Sequence, residues 1–277
     1  MIEFLVAPFE LGFMQRALFG GLLVGAVCAL VGTYVVLRGL AFVGDALAHA
    51  AFPGVVIAYL LKANIYLGAL IFALATAVGI GVISRRGGVR HDTAIGILFA
   101  GAFALGVLLM STIQSYTVDL FSFLFGDILA ISETDLLVVG TLGALVLLII
   151  GLCYKELLLL SFDPTVAEAM GYPVQMLNYL LLGLVALTIV ISIQAVGIIL
   201  VVALLVTPSA TASLVTRRFL PMMVVGVAFA WAAVAMGLYL SYHLNVASGA
   251  AIVLVSTCLF FLTFGCRFLR RVAEART

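Results

Sequence analysis

Long uninterrupted apolar stretches, rather than alternating or one-sided ones, dominate this chain of 277 residues. Nine of them approach the roughly 20 helical residues that a hydrocarbon core of about 30 Å requires. They cover residues 17–37, 46–61, 65–83, 93–112, 135–153, 176–193, 196–214, 220–242 and 247–266. The second is the shortest, which predicts an element enclosed by other helices rather than facing lipid. Only Gln194, Ala195 and Gly197 soften the junction of the sixth and seventh, so one bent element is an alternative there. The pattern predicts an all-α polytopic membrane bundle of eight or nine helices, with residues 1–277 as a single transmembrane domain.

Composition agrees with a lipid solvent. Hydrophobic residues make up 66% of the chain and charged ones 9%, against about 25% charged in a soluble domain. The net charge of +1 leaves no basic face for nucleic acid. Cys28, Cys153, Cys258 and Cys266 lie in apolar runs without a CxxC pair and are read as packing residues. Residues 1–16 carry Glu3, Glu10 and Arg16 instead of a basic n-region, so the N-terminus is expected to be retained as an external segment.

Basic residues orient the passes, because cytoplasmic loops are enriched in Lys and Arg. With nine passes and the N-terminus outside, Arg38, Arg85, Arg86, Arg90, Lys155, Arg217, Arg218, Arg267, Arg270, Arg271 and Arg276 all fall inside; only Arg16 and Lys62 fall outside. Merging the sixth and seventh stretches would put Arg217, Arg218 and the C-terminal cluster on the wrong side. The expected cytoplasmic parts are the loop 154–175 and the tail 267–277. Glu3, Glu10, Asp119, Asp127, Glu133 and Asp135 then face outside, as a cation-attracting mouth or as ordinary solvated charges.

Asp45 and His49 stand at membrane depth, where an ionisable side chain is costly and points to function. Four residues apart, they share one helix face with Cβ atoms about 5–6 Å apart. A carboxylate and an imidazole so placed can share a divalent manganese, iron or zinc ion, and no thiolate is present to favour copper. Gly44, Ala46, Ala48, Ala50 and Ala51 around them permit close helix approach. The structural alternative is Asp45 as a helix N-cap and His49 as a neutral packed residue. His91 and His243 are read as solvated loop residues.

The stretch 161–174 reads as a short cytoplasmic helix with Asp163 at the N-cap, Pro164 in the first turn, Glu168 within it and Gly171 as terminator. It is either a docking element or a linker. The chain has no G-x-x-x-x-G-K-[ST] motif, so any work drawn from ATP must come through a partner. Residues 112–132, interrupted by Asp119 and Asp127, read as a short interfacial or gate helix on the outer side.

Four blocks together resemble the permease subunits of bacterial ABC importers for manganese, zinc and iron. They are Val43–Gly54, Asp119–Ile131 with its Phe-Gly-Asp, Asp163–Gly171, and Val196–Ala212. The resemblance implies a fold similar to the vitamin B12 and siderophore permeases, in the bacterial plasma membrane. It implies a homodimer that works with two cytoplasmic ATP-binding subunits and an extracellular metal-binding protein. It implies that Asp45 and His49 coordinate the metal in the pathway, that Asp163, Glu168 and Gly171 belong to the helix coupling to the ATPase, and that Pro208 frees a backbone carbonyl inside the bundle. Asn245 departs from the acid that many members carry before the last span. The metal is then cargo, with no permanently bound cofactor; overall likeness favours manganese over zinc or iron. An ATP-independent secondary transporter and an intramembrane metalloprotease are alternatives; the missing H-E-x-x-H pair argues against the latter.

Overall fold

The computed structural model describes residues 10–113, 126 and 128–274. Among them every regular element is helical. Nine helices are long and apolar enough to cross a membrane: α1 (Gly12–Leu37), α2 (Ala41–Leu60), α3 (Ile65–Arg86), α4 (His91–Ser111), α5 (Glu133–Leu152), α8 (Val174–Val196), α9 (Ile198–Val215), α10 (Phe219–Leu244) and α11 (Ser248–Glu274). Two short helices, α6 (Tyr154–Phe162) and α7 (Pro164–Ala169), join α5 to α8. A single 3-10 turn covers Ile128–Ala130. Each expected span has its helix. The main differences lie at the ends: α1 already includes residues 12–16, and α11 continues through the expected tail to Glu274.

The most enclosed helices are α1, α2 and α8, and the shortness of the α2 stretch therefore predicted its place correctly. Their small residues allow backbones to meet where lipid offers no hydrophobic drive for association. Gly54 of α2 and Gly68 of α3 oppose one another backbone to backbone, and Gly106 of α4 sits against Phe52 and Pro53 of α2. Helix α10 runs antiparallel to α1, as Gly21 lies against Val234 and Gly226 against Ala29. That pairing brings Arg217 and Arg218, just before α10, to the same end of the bundle as Arg38, just after α1.

Two side-chain hydrogen bonds to backbone carbonyls join helices. Ser209 Oγ donates to the Ala29 carbonyl at 2.9 Å, and the Trp231 indole N–H donates to the Leu22 carbonyl at 3.0 Å. Each ties α1 to another helix; such bonds stabilise membrane bundles by about 0.6 kcal/mol on average.

The sixth and seventh stretches are two helices. Gly197 separates them with φ 82° and ψ 163°, a conformation open to glycine and disfavoured for any residue with a Cβ. The junction is buried: Val196 and Ile198 are enclosed, and Gly126 lies against Val196 and Gly197. Helix α8 packs mainly on α3 and α5, whereas α9 packs on α1, α10 and α11. One bent rod could not serve both sets of neighbours.

Asp135, read as a charge of the outer mouth, is used locally. It closes a capping box with Ser132 at the start of α5 and accepts the Tyr66 hydroxyl of α3 at 3.0 Å. Asp119 and Asp127, the gate candidates, lie outside the described residues, as does most of the expected interfacial helix.

Candidate functional site

Asp45 does not cap α2. The helix begins at Ala41 with Leu40 at the N-cap, so Asp45 and His49 occupy its second and third turns. Their side chains share a face as the four-residue spacing requires. His49 Nδ1 lies 3.0 Å from the Asp45 backbone carbonyl and 3.4 Å from Asp45 Oδ1. The Asp45 side chain retains 43% of its exposure and His49 20%. The pair is therefore open on one side, and its carboxylate is the more accessible group.

Helix α4 supplies a clamp for the imidazole. Phe99 and Phe103 stand edge-on to the His49 ring at centroid distances of 5.1 and 5.4 Å, and Phe103 also meets Phe52. Two aromatics one turn apart restrict the ring while leaving its nitrogens along α2. Pro53 adds a backbone feature: lacking an N–H, it leaves the carbonyl of His49 without its i+4 helical donor. A carboxylate, an imidazole and a freed carbonyl thus lie within one helical segment.

This arrangement fits a first-row divalent cation. Bonds of about 2.1 Å from one ion to Nδ1 and Oδ1, spanning the observed 3.4 Å, subtend about 105–110°. Four- and six-coordinate centres both approach that angle. Binding at Nδ1 requires a neutral imidazole with its proton on Nε2, so a metal ion and a second proton would compete for His49. Among the described residues no cluster of three His, Cys, Asp or Glu side chains exists, so this chain offers one incomplete ligand set rather than a closed cage.

Pro208 is buried within α9 and removes the i+4 donor of the Leu204 carbonyl. Helix α9 meets α2 through Leu205, which packs on Gly44. The polar and ring contacts of the Asp45–His49 pair run instead along α2 and to α4, so Pro208 belongs to the bundle interior and not to the face that the pair opens.

The 163–171 segment has the expected architecture. Asp163 Oδ1 accepts from the backbone N–H of Thr165 and of Val166, both at 3.0 Å, with Pro164 at the first position of α7. Gly171, at φ 83°, turns the chain, while its N–H donates to the Glu168 carbonyl at 2.9 Å. Glu168 is exposed, and Phe162, Val166 and Met170 present apolar side chains outward. Asp163→Ala should leave both N–H groups without an acceptor and cost about 1 kcal/mol locally. Faster amide exchange at Thr165 and Val166, with α8 unchanged, is the expected result.

Phe99 and Phe103 were not legible as site residues, because an apolar span carries no sign of which aromatics face a polar pair. Their spacing of four was the available signal. The helix α6 was also missed: Leu157 and Leu160, which it buries completely, lay in the expected cytoplasmic loop 154–175.

Among the described residues, nine helices long and apolar enough to cross a membrane define a multi-pass membrane protein. The sequence profile of the ABC 3 transport family matches residues 10–267. The chain belongs to that family. Similar proteins include the manganese transport system membrane protein MntC of Halalkalibacterium halodurans, 48% identical over 91% of this chain and 86% of its own length. The manganese import system permease protein ScaB of Streptococcus gordonii is 41% identical over 95% of this chain and 94% of its own. The solved structure of PsaBC from Streptococcus pneumoniae in complex with Fab superposes with a TM-score of 0.85 at 40% identity, covering 95% of each chain.

Proposed function

We propose that this chain is the membrane permease subunit of an ATP-driven bacterial importer of divalent transition metal ions, with manganese as its principal cargo. The observation that carries the proposal is the open Asp45–His49 pair: two side-chain donors, a spacing that fits one ion, and no third His, Cys, Asp or Glu side chain grouped with them among the described residues. A pathway site must hold an ion weakly enough to release it, and few ligands meet that need. Nitrogen and oxygen donors suit manganese, zinc and iron alike. The choice of manganese rests on the names of the similar proteins.

Two copies of the chain, related by a two-fold axis, would each offer such a pair to the pathway. The ATP-binding subunits would dock at α7, where Asp163 caps the helix, Gly171 ends it, and Glu168, Phe162, Val166 and Met170 face outward. The collection of Arg38, Arg217 and Arg218 at one end of the bundle supports placing that end in the cytoplasm. Residues 1–16 then begin outside, 154–175 form the coupling loop and 267–277 end inside. An extracellular metal-binding protein would deliver the ion, which passes through as cargo and not as a resident cofactor.

The test is reconstitution of the permease with its ATP-binding subunits in vesicles, followed by uptake of radioactive manganese. Accumulation that requires ATP and is reduced by competing zinc or iron only at higher concentration is expected. Equal accumulation without ATP-binding subunits would overturn the ATP-driven reading in favour of a secondary transporter.

A further inference from the structure

A cavity of about 510 Å³ opens where the end of α1, the end of α3, α7 and the start of α8 meet. Arg38, Glu168, Tyr172, Gln175, Asn178 and Tyr179 are among the residues that line it. Its floor is closed by tight packing, with Gly81 of α3 directly beneath the Tyr179 ring. None of these groups belongs to the Asp45–His49 face, and of them only Glu168, on α7, has a part in the proposed docking of the ATP-binding subunits.

Arg38 is the notable member. Its guanidinium is half-buried, and burial disfavours its charged form. Among the described residues no carboxylate stands at ion-pair distance from it, although Glu168 lines the same cavity. A desolvated guanidinium without an acid partner calls for an anion from outside the chain. The neighbouring donors are the neutral amides of Gln175 and Asn178 and the hydroxyls of Tyr172 and Tyr179, a set that matches several oxygens on one centre. A planar guanidinium with neutral donors around it suits a phosphate group better than a lone carboxylate.

The surroundings indicate where that phosphate comes from. The cavity sits at the ends of α1 and α3, two helices long and apolar enough to cross a bilayer. Beside its Gly81 wall, Ile71, Leu74, Val78 and Val82 of α3 form an exposed apolar strip at one-turn intervals, long enough to receive an acyl chain. Basic pockets between membrane helices are known headgroup sites.

We infer that this cavity holds the headgroup phosphate of a membrane phospholipid on Arg38, with an acyl chain laid along α3. The site requires only that the helices span a bilayer, so it stands or falls separately from the metal pathway and from the orientation of the chain. Glu168 forms part of the opposite wall and favours a headgroup that also carries an ammonium group over one with further negative charge.

Native mass spectrometry of the full chain in detergent, delipidated and then titrated, provides the test. The probes are phosphatidylethanolamine, phosphatidylglycerol and inorganic phosphate. One phospholipid per chain should be retained, ethanolamine more than glycerol. Arg38→Gln should weaken retention by about tenfold, the value expected for losing a charged hydrogen-bond donor. Arg38→Lys should lose less, and Arg90→Gln, an exposed cation outside the cavity, should be unaffected. Asn178→Leu weakens retention independently and covers the case that Arg38→Gln fails to fold. Retention unchanged in both Arg38→Gln and Asn178→Leu overturns the inference. So does inorganic phosphate displacing phospholipid at equal concentration, which would make the cavity a site for a free anion.

Discussion

Asp45→Ala is expected to lower ATP-dependent manganese uptake to the background of empty vesicles, a loss of at least about 100-fold. Even residues that only orient metal ligands cost 10- to 100-fold in affinity when removed, and Asp45 contributes the charged, more exposed half of the pair. His49→Ala should match it, and the double variant should be no worse, because an ion held by two side chains loses its chelate when either goes. Asp45→Asn separates charge from shape: it keeps the size of the side chain and should still abolish uptake. The Asp45 changes remove no buried packing group, so thermal unfolding of those variants in detergent should stay near that of the wild type. His49→Ala also gives up the ring contacts with Phe99 and Phe103 and should unfold at a lower temperature. Uptake within about twofold of wild type in both alanine variants would overturn the assignment of the pair as the pathway site. Capture at His49 Nδ1 needs a neutral imidazole, which acid protonates, so uptake in the intact transporter should also weaken as the medium is acidified.

The second large effect is structural. Gly54→Val should prevent the chain from accumulating as a folded protein, with a cost of more than about 3 kcal/mol. A Cβ at Gly54 would run into the carbonyl of Gly68 and stand 3.0 Å from the Cβ of Phe72. Neither backbone can yield without parting α2 from α3, and α2 is held on its other side by α4 through Gly106, Phe52 and Pro53. Separation would also disturb the Phe99–Phe103 clamp, so a residual folded fraction should transport poorly. Gly140→Val is the matched control. Nothing lies within 4 Å of a Cβ at Gly140 of α5, and its unfolding temperature should change little. Monodispersity and thermal unfolding of the two variants in one detergent measure the contrast. Equal stability of Gly54→Val and wild type would show that α2 and α3 do not meet at Gly54 and Gly68.

Much of the site was legible because membrane burial makes polar residues conspicuous. In an apolar helix, Asp45 and His49 at a spacing of four must share a face, whatever surrounds them. The Asp163–Pro164 start and Gly171 end of α7 were legible for a comparable reason, since cap chemistry is local and needs only a few consecutive residues. Asp135 shows the limit of counting charges by side: its carboxylate is engaged by Ser132 and Tyr66, the latter from a helix some seventy positions earlier. The same limit hid the Arg38 cavity, whose walls come from residues that are far apart in the chain and individually ordinary.

The sequence by itself narrowed the long helices to eight or nine, and determined the chemistry available in the apolar spans and the position of the α7 turn. Each follows from a constraint acting over one turn or one bilayer thickness: backbone groups must be paired in lipid, ionisable groups must be rare there, and helix ends must be capped. Tertiary structure alone decided that α8 and α9 part at Gly197, that Phe99 and Phe103 pack on His49, and that Arg38 lines a cavity with residues of α3, α7 and α8. All three depend on which helix faces meet. When every face is apolar, hydrophobicity cannot choose among them, and the choice passes to the close fit of small residues such as Gly54 against Gly68.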